Sequence, residues 1–457
     1  MSAGLRMFVI FSTLVHLSKG KCSWRVSTGA VTAHPCTPLM DNGTMTTGCE
    51  HPGPELAGTR TRQHRSRITT MTRSQEKKIK VLFLASWYPT RENPVSGIFI
   101  KRHAEAVSRL CDVGVLYIHP AAQRQETVVE YSREDRITTI RVYPKSPRFS
   151  NKVSLYLHFF LNMYRGMKGV RKAFGRPDIV HVNVTLPMGI PAVFLKVVYN
   201  IPYIVTEHFT GFSCQARKAF TALQLHLILK RATAICPVSA RLEQAMKQFY
   251  TADKYQVIPN VVNTGIFYPK QGKTHSRKKQ LLHVSVLKKE RKNISGIIDA
   301  LHDLAGVRND FELHIIGEGS DRVYFEDLCT HLGMKDSVVF FHGFVSEQAL
   351  ADYMRNADFF ILNSTDENFA VVCAEALASG IPVLSTCCGG PEEFITRDVG
   401  ILIPQGNKPE LVHAITCLLD TADSYNPCML HNYIRNKFGY DTVGKQFFTL
   451  YSAIVGR

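Results

Sequence analysis

Several patterns that would point directly to a metal, a repeat or a membrane span are missing from this sequence. Its twelve cysteines occur in none of the spacings that metal ligands adopt, and it contains no Asp-x-Asp pair. No short internal repeat is visible. The early apolar run, Met7–Leu17, has fewer residues than a transmembrane helix needs. These absences favour a globular protein that requires no metal and no cofactor of its own.

Acidic residues are also scarce. The 457-residue chain has 38 Asp and Glu against 55 Lys and Arg, which gives a formal net charge of +17. Such an excess favours an acidic partner, for example nucleotide phosphates or anionic lipid headgroups. Nucleic acid is a weaker candidate, because the basic N-terminal tail has no interleaved aromatic residues and no recognised binding motif. We therefore expect no nucleic-acid partner.

The first 78 residues differ in composition from the rest of the chain. They are rich in Thr, Ser, Gly, Pro and Arg without hydrophobic periodicity, which predicts a basic, disordered leader. Residues 1–23 resemble a weak signal sequence or short anchor, which would direct the protein to the secretory pathway. The rest of the chain favours the cytoplasm, with peripheral contact on the cytosolic membrane face as an option, because Cys236 and Cys373 lie in apolar runs typical of reduced thiols.

Beyond Lys80 the sequence alternates between apolar strands and helical segments. Strands such as "VLFLASW" and "DVGVLYI" are continuous apolar runs, which predicts buried parallel strands joined by helices. A stretch rich in turn-forming residues near 258–278 separates two such series. We predict a first lobe over 79–258, a second lobe over 259–430, and a C-terminal helix over 431–457 that packs back on the first lobe.

The predicted fold class is therefore α/β, with two Rossmann-like lobes whose parallel sheets face each other across a cleft. Ligands of open parallel sheets bind outside the carboxyl ends of the strands. A ligand of this chain should accordingly lie in the cleft between the lobes.

Two glutamates, Glu367 and Glu375, flank an almost wholly apolar segment of the second lobe. The strand-like "ADFFILNS" precedes them, and a glycine and a proline follow, so we predict a helix over 369–379 with Glu367 in the loop before it. An unpaired glutamate is costly to bury, which suggests that both side chains have ligands. Glu375 could accept hydrogen bonds from two adjacent ribose hydroxyls, and Glu367 from the hydroxyls of a sugar.

The start of this predicted helix suits a diphosphate. The amides of Phe369, Ala370 and Val371 lack helical partners, and the helix dipole favours negative charge at this end. The small and apolar residues between the two glutamates let a ligand approach the backbone closely. The residues alone thus predict a nucleotide-diphosphate site, with a chance pair of surface glutamates as the alternative.

The segment "ENFAVVCAEALASGIPVLSTCCGGPEEFI" resembles the Glu-x7-Glu signature of retaining, family-4-type glycosyltransferases of the GT-B fold (glycosyl transferases group 1), and the similarity covers about residues 79–456. The resemblance implies that Glu367 is a catalytic residue contacting the donor sugar, that Glu375 binds the ribose, and that the three amides hold the phosphates. It assigns the acceptor to the first lobe and the nucleotide to the second. Gly389 and Gly390 match the turn that lines the family's nucleotide pocket.

The family usually carries an arginine and a lysine six residues apart after the first strand of the second lobe. Lys292 matches the lysine, whereas Val286 stands where the arginine is expected. Lys288, Lys289 or Arg291 could compensate for the missing cation, and a solvated charged loop is the alternative interpretation. The resemblance therefore implies a donor site in which Lys292 binds phosphate.

Two residues of the first lobe complete the predicted site. Gly97 begins a helix after the loop that follows the first strand, and it would permit a phosphate or an acceptor hydroxyl to approach the backbone. His208 ends the strand "YIVTEH", and the resemblance places it beside the donor sugar as a catalytic residue that orients or polarises. A simple turn glycine and a core histidine are the alternatives. For His181 the core interpretation is favoured.

Together these features predict a glycosyltransferase that moves a hexosyl group from a UDP- or GDP-sugar to a hydroxyl of a glycan or lipid-linked glycan, with retention of configuration. No nucleophile stands out, which favours same-face attack. The helix predicted over 152–174 combines apolar and basic residues, which is typical either of contact with an anionic membrane or of simple packing. A nucleotide-sugar epimerase or phosphorylase of the same fold, and a non-catalytic two-lobed nucleotide- or sugar-binding protein, are the alternatives.

Overall fold

The computed structural model describes residues 78–120, 124–134, 136–147, 151–270, 272 and 278–456. The leader predicted over residues 1–78 therefore lies outside the described residues, apart from Lys78. The described residues form two lobes, each built on one sheet. In the part of the chain that the structure describes, no helix is both long and apolar enough to cross a membrane.

The first lobe contains seven strands. These are β1 (Lys80–Ala85), β2 (Asp112–Ile118), β3 (Val128–Glu134), β4 (Ile137–Tyr143), β5 (Ile179–Asn183), β6 (Tyr203–Glu207) and β7 (Ala234–Pro237). They form one sheet in the order β3–β4–β2–β1–β5–β6–β7, and every neighbouring pair is parallel except β3 with β4. Successive residues of β1, such as Leu82 and Phe83, point to opposite faces of the sheet and belong to different apolar clusters, so both faces of the sheet are covered.

The helices of the first lobe follow the strands along the chain. They are α1 (Ile98–Ser108), α2 (Lys152–Ala173), α3 (Gly189–Tyr199), α4 (Phe212–Ala216), α5 (Ala219–Arg231) and α6 (Ala240–Phe249). Two of them have a side-chain N-cap, since Asn151 accepts a hydrogen bond from Ser154 N at 2.8 Å and Ser239 accepts one from Leu242 N at 3.2 Å. These caps explain why α2 and α6 begin where they do.

The second lobe contains six strands. These are β8 (Lys279–Val284), β9 (Phe311–Ile316), β10 (Val339–Gly343), β11 (Phe359–Leu362), β12 (Val383–Thr386) and β13 (Gly400–Ile403). They form a fully parallel sheet in the order β10–β9–β8–β11–β12–β13. The order reverses direction between β8 and β11, and open parallel sheets bind ligands at such a point.

The helices of the second lobe surround this sheet. They are α7 (Lys289–Lys292), α8 (Ile294–Ala305), α9 (Arg322–His331), α10 (Glu347–Asn356), α11 (Val371–Ala378) and α12 (Lys408–Thr421), with 3-10 turns at Gly390–Glu393 and Ala422–Ser424. Two further helices, α13 (Pro427–Phe438) and α14 (Tyr440–Val455), end the described chain. Val443 and Phe447 of α14 lie in the apolar cluster of β1 and α1, so the last helix packs on the first lobe.

The predicted α/β architecture with two Rossmann-like lobes is confirmed, with three local differences. The single helix predicted over 431–457 is two helices, α13 and α14, which are separated at Gly439. The first sheet carries the antiparallel edge strand β3, whose polar sequence "VVEYSRE" gives little strand signal because most of its side chains are not buried. Helix α3 also went unpredicted, since Pro187 and Pro191 suggest a loop. Pro191 instead lies in the first turn of α3, where a missing amide costs no helical hydrogen bond.

Candidate active site

Lys292 and Glu367, which are 75 residues apart in the sequence, meet at the carboxyl end of the second sheet. Lys292 is the last residue of α7, and its Nζ donates a hydrogen bond to Glu367 Oε1 within an ion pair. Both side chains are only partly buried. A carboxylate that is held by a cation and still reachable from solvent can accept sugar hydroxyls, while the same cation can bind a phosphate. The structure thus brings together two of the predicted donor-site residues.

The backbone around Glu367 is held by the loop that follows β12. Glu367 N donates to Cys388 O, and Gly390 N donates to Glu367 O, both at 2.9 Å. A Cβ atom on residue 390 would lie 2.3 Å from Asn368 O, so only glycine fits there. The Glu-x7-Glu segment and the Gly-Gly turn, which the resemblance places around one nucleotide, therefore form a single hydrogen-bonded surface.

The helix of the Glu-x7-Glu segment begins two residues later than predicted. It spans Val371–Ala378, because Ala370 adopts a left-handed conformation with φ of 56° that a helix cannot include. Within the described residues, the amides of Phe369, Ala370 and Val371 donate no hydrogen bond, so these predicted phosphate donors are available. The side chain of Phe369 is buried and stacks on Phe394, which anchors this turn.

Glu375 lies in α11, and its partner is an arginine of the first lobe. Its Oε1 lies 2.7 Å from Nη1 of Arg102 on α1, and Nη2 of Arg102 lies 2.6 Å from Oε1 of Glu347. The Glu375 contact is a close ion pair that lacks hydrogen-bond alignment, because Nη1 has no hydrogen-bond partner. Burial raises the pKa of Glu375, and Arg102 opposes that shift. The carboxylate predicted for the ribose thus already has a protein cation beside it.

His208 follows β6 and faces the second lobe. Its Nδ1 lies 3.0 Å from Asn260 Oδ1, an arrangement in which Nδ1 is the donor and Nε2 is left as an acceptor. Nε2 is buried and has no hydrogen-bond partner among the described residues. Burial lowers the pKa of His208 well below its ordinary value, and repulsion from His103 and His181 adds to this effect. The imidazole is therefore neutral and can accept a hydrogen bond from a ligand hydroxyl.

Glu207, the residue before His208, is a buried carboxylate that is fully occupied. One of its oxygens accepts from Thr185 N at 3.0 Å and from Thr185 Oγ1 at 2.6 Å. The other accepts from the amides of His208 and Phe209, both at 2.8 Å. Burial raises the pKa of Glu207, while these hydrogen bonds oppose the rise. Its role is to hold the backbone that carries His208, since it has no oxygen left for a ligand.

Gly97 takes the position predicted for it at the start of α1. It adopts a left-handed conformation with φ of 66°, and a Cβ atom would lie 2.5 Å from both C and O of Trp87. Any other residue would collide with the backbone of the preceding loop. The structure therefore accounts for the glycine by close packing within the first lobe, and its amide remains a donor that a ligand in the cleft could use.

Several contacts join the two lobes around this site. Asn368, next to Glu367, donates from Nδ2 to His208 O at 3.0 Å. Arg241 of α6 lies 2.7 Å from Asp366, and its amide and that of Ala240 donate to the carboxylate of Glu393. The histidine of the first lobe and the glutamate loop of the second are consequently in direct contact.

Sequence reasoning missed several of these residues. Arg102 lies among apolar positions in "GIFIKRHAEAV", and a cation there was the available signal of a buried partner. Asn260 gave a weaker signal, as a polar residue in the interlobe segment. Arg241 and Asn368 gave none, because their roles depend on which loops of the two lobes meet.

The residue at the position where the family carries an arginine does not replace that arginine. Val286 is 57% exposed and brings no cation to the site. Lys289, one of the candidate substitutes, places its Nζ 3.1 Å from the ring centre of Tyr324. Arg241, by contrast, lies against Gly389 of the nucleotide-pocket turn, where a Cβ atom would collide with its side chain. The other lobe therefore places a cation against this turn.

Among the described residues, no group of three or more His, Cys, Asp or Glu side chains is arranged to hold a metal ion. The predicted independence of metals and cofactors stays a prediction. The cysteines named from the sequence, Cys236 and Cys373, are buried free thiols whose pKa values are raised by burial. His181 is a core residue, with hydrogen bonds to Thr206 and Tyr451.

Comparison with protein families identifies the chain. The model described as "Glycosyltransferase Family 4" matches residues 97–265, and that described as "Glycosyl transferases group 1" matches residues 267–436. The first model thus covers most of the first lobe, and the second model covers most of the second lobe. Between residues 97 and 436 the two models together omit only residue 266. The chain belongs to this family of glycosyltransferases.

Relatives and solved structures agree with this assignment. An uncharacterized glycosyltransferase of Methanocaldococcus jannaschii is 26% identical over 70% of this chain and 86% of its own length. A Bacillus subtilis protein provisionally named as the teichuronic acid biosynthesis glycosyltransferase TuaC is 23% identical over 74% of this chain and 88% of its own. Sucrose-phosphate synthase from Thermosynechococcus elongatus has a TM-score of 0.66 at 18% identity, covering 83% of this chain and 100% of that one. Anabaena HepE in complex with UDP and glucose has a TM-score of 0.63 at 18% identity, covering 82% and 100%. These structural likenesses establish the GT-B glycosyltransferase fold.

Proposed function

We propose that this glycosyltransferase moves a hexosyl group from a UDP- or GDP-sugar to a hydroxyl of a glycan or lipid-linked glycan, with retention of configuration. The observation that carries the proposal is the contact between Lys292 and Glu367 at the start of α11. A leaving nucleoside diphosphate needs cations and amides on its oxygens, whereas the transferred sugar needs acceptors for its hydroxyls. This corner of the cleft presents both kinds of group side by side.

The diphosphate would lie against the start of α11. The amides of Phe369, Ala370 and Val371 donate no hydrogen bond among the described residues, and Lys292 supplies the positive charge. Negative charge on the diphosphate increases as the bond to the sugar breaks, so these groups stabilise the transition state more than the ground state. Glu375 would accept the ribose hydroxyls through its Oε2, because the contact with Arg102 is made by its Oε1.

The sugar would lie between Glu367 and His208. The two side chains come from different lobes, and the Asn368–His208 hydrogen bond shows how closely the loops approach. Nε2 of His208 would accept a hydrogen bond from a sugar hydroxyl and so orient the ring. Neither nearby carboxylate is a free nucleophile, because Glu207 uses both oxygens internally and Glu367 is paired with Lys292. This supports same-face attack by the acceptor through an oxocarbenium-like state.

The donor class has support from one neighbour. HepE of Anabaena was solved with UDP and with UDP-glucose, and its fold matches the present one over its whole length. The acceptor class rests on the positive charge of the chain and on the provisional name of the Bacillus subtilis relative, which refers to teichuronic acid biosynthesis. We also propose a cytoplasmic location with peripheral contact to an anionic membrane.

A donor screen tests this proposal. The full chain is incubated with a panel of nucleotide sugars, nucleotide release is followed, and the products with acceptor are analysed by NMR for anomeric configuration. We expect nucleotide release from one preferred donor and loss of that release in Glu375→Ala. The linkage in the product should keep the axial or equatorial configuration that the sugar has in the donor. Equal release by Glu375→Ala and the parent protein would contradict the ribose contact.

The same experiment separates the alternatives. An epimerase would convert the donor sugar without an acceptor, and a phosphorylase would require inorganic phosphate. A non-catalytic binding protein would bind a nucleotide sugar in calorimetry and release no nucleotide with any acceptor. Any of these outcomes would replace the proposed transfer reaction.

A further inference from the structure

Helix α2 has an exposed face that is apolar over its first three turns. Val153, Leu157, Leu161 and Tyr164 are between 50% and 60% exposed, and their spacing of three and four residues places them on one stripe of the helix. The stripe is about 17 Å long at the rise of an α-helix. Helices on a protein surface normally place polar residues on this side, so the apolar stripe of α2 needs a partner.

The opposite side of α2 already has its packing partner. Asn162, Met163 and Val170 are buried, and Gly166 and Gly169 allow the helix to approach the sheet so closely that a Cβ atom on either would crowd the side chains of β2 and β3. Helix α2 therefore does not need the exposed stripe for folding. The exposed stripe is a second apolar surface on the same helix.

The last two turns of the exposed face are basic. Lys168, Arg171 and Lys172 continue the stripe toward the C-terminus, and the whole helix contains no acidic residue. Within the described residues none of these three forms an ion pair, and Lys168 Nζ lies 4.8 Å from the ring centre of Tyr164. An apolar stripe adjoining unpaired cations complements a surface that has an apolar interior and anionic headgroups.

The stripe lies at the end of the lobe that carries His208. The strands β4 and β6 are parallel members of one sheet, and α2 and α4 start from their carboxyl ends. The first half of α2 also contacts α5 near its start, where Tyr156 meets Phe220 edge to face. A bilayer bound to the stripe would accordingly lie at the same end of the first lobe as His208.

We propose that the exposed stripe of α2 docks the protein on an anionic lipid bilayer, with its apolar residues in the interface and Lys168, Arg171 and Lys172 on the headgroups. The docking would bring a lipid-linked acceptor to the cleft, and in that respect the inference rests on the proposed function. The bilayer contact itself requires no donor, so it can be measured independently of transfer.

Vesicle co-sedimentation of the full chain tests the docking. Vesicles of phosphatidylcholine with phosphatidylglycerol should bind the parent protein, and pure phosphatidylcholine vesicles should bind it at least about tenfold less. The double variant Leu157→Glu/Leu161→Glu should lose about tenfold or more of the binding to the anionic vesicles. The matched control is Val307→Glu/Val323→Glu, which adds two charges at exposed apolar positions of the second lobe and should bind within about twofold of the parent. Residues 1–77 are identical in all these proteins, so differences between them come from the substitutions.

Three results would overturn the proposal. The first is equal anionic-vesicle binding by Leu157→Glu/Leu161→Glu and the parent, and the second is equal loss in the Val307→Glu/Val323→Glu control. The third is a parent dimer, seen by sedimentation velocity without vesicles, that the α2 variant dissociates, because the stripe would then be an interface between two copies. Nucleotide release from the preferred donor is recorded for each variant. A variant of α2 that still releases nucleotide but no longer binds vesicles supports the docking. A result that overturns the docking leaves the proposed transfer reaction unaffected.

Discussion

The two lobes place different kinds of side chains in the cleft. The second lobe presents the Lys292–Glu367 ion pair and the carboxyl group of Glu375. The first lobe presents His208, which is neutral, and its two interface arginines, Arg102 and Arg241, are both paired with carboxylates of the second lobe. Around the predicted sugar, the first lobe therefore offers a neutral hydrogen-bond acceptor and the second offers an ion pair, whereas at the Gly389 turn the first lobe also brings the cation of Arg241.

The difference fits the two ends of a nucleotide sugar. A diphosphate carries the charge and is stabilised by cations and amides, whereas a sugar ring is neutral and is oriented by polar groups. A protonated histidine beside the sugar would oppose the positive charge that develops on the ring in an oxocarbenium-like state. Burial of His208, which lowers its pKa, prevents this.

The largest effect is expected for Arg102, the cation that crosses from one lobe to the other. Arg102→Met leaves the buried Glu375 without its cation and unpairs the partly exposed Glu347, which should lower the free energy of unfolding by about 3–5 kcal/mol. Urea denaturation of the parent and variant measures this. The matched control is Arg109→Met, which breaks the exposed Arg109–Asp441 pair and should cost about 0–1 kcal/mol. Equal losses in the two variants would show that the Arg102 contacts are not energetically special.

The next largest effect is expected for Lys292, the cation of the second lobe. Lys292→Ala removes the cation beside the predicted diphosphate and should lower kcat by about 10²- to 10³-fold, because one electrostatic contact in the transition state is lost. Lys288→Ala is the control, since Lys288 is an exposed cation four residues earlier in the same loop. Steady-state kinetics with the preferred donor measures both. A similar loss in Lys288→Ala would mean that the loop provides diffuse charge and no specific contact.

A smaller effect is expected on the neutral side. His208→Ala removes one hydrogen-bond acceptor and should lower kcat/KM about tenfold. Because burial holds the pKa of His208 well below 6.5, kcat/KM of the parent should not fall as pH drops from 7.5 to 6 on account of this group. His181→Gln, at a core histidine bonded to Thr206 and Tyr451, should change stability more than kcat/KM in the folded enzyme. A fall in parent activity centred near pH 6.5 that His208→Gln abolishes would contradict the assigned neutral state.

The most gradual effect is the dependence of stability on pH. Burial lowers the pKa of His103 and His283 to about 4, and it lowers those of His181 and His208 well below 6.5. The unfolded chain binds these protons near pH 6.5, so the folded state loses stability as pH falls from about 6.5 toward 4. Each histidine contributes a slope of up to about 1.4 kcal/mol per pH unit.

Denaturation curves between pH 7.5 and 5 measure this slope. His283→Gln removes one of the four groups and should make the slope smaller by up to about 1.4 kcal/mol per pH unit. Stability that stays constant between pH 7 and 5 would show that the histidines gain no protons on unfolding. The prediction separates the lobes, since His283 belongs to the second lobe and the other three to the first.

Much of the fold could be predicted because its signals are local. A buried parallel strand such as "DVGVLYI" has no charged residue after its exposed first one, and its observed bounds, Asp112–Ile118, are those of the sequence run. Helix α3 and strand β3 could not be predicted in this way. The prolines of α3 obscure a helix whose apolar residues pack on the sheet, and β3 is kept in place by β4 and not by its own weak pattern.

The candidate site also has parts that local sequence signals predict and parts that they do not. The spacing of Glu367 and Glu375 and the turn at Gly389 and Gly390 are visible in one continuous stretch, and the resemblance to a known family follows from them. The partners of those residues are not visible. Lys292 could be named only through the family pattern, and nothing near Glu375 in the sequence indicates Arg102, which is 273 positions away.

The sequence alone determined the class of this protein, two Rossmann-like lobes with a donor motif in the second, since apolar periodicity and short motifs survive without knowledge of the fold. Only the tertiary structure decided how the charges are used. It pairs Arg102 with Glu375, leaves Nε2 of His208 without a partner, and turns an apolar stripe of α2 toward solvent. The physical reason is that burial and long-range pairing set the energy of a charged or apolar group, and both depend on distant parts of the chain that meet only after folding.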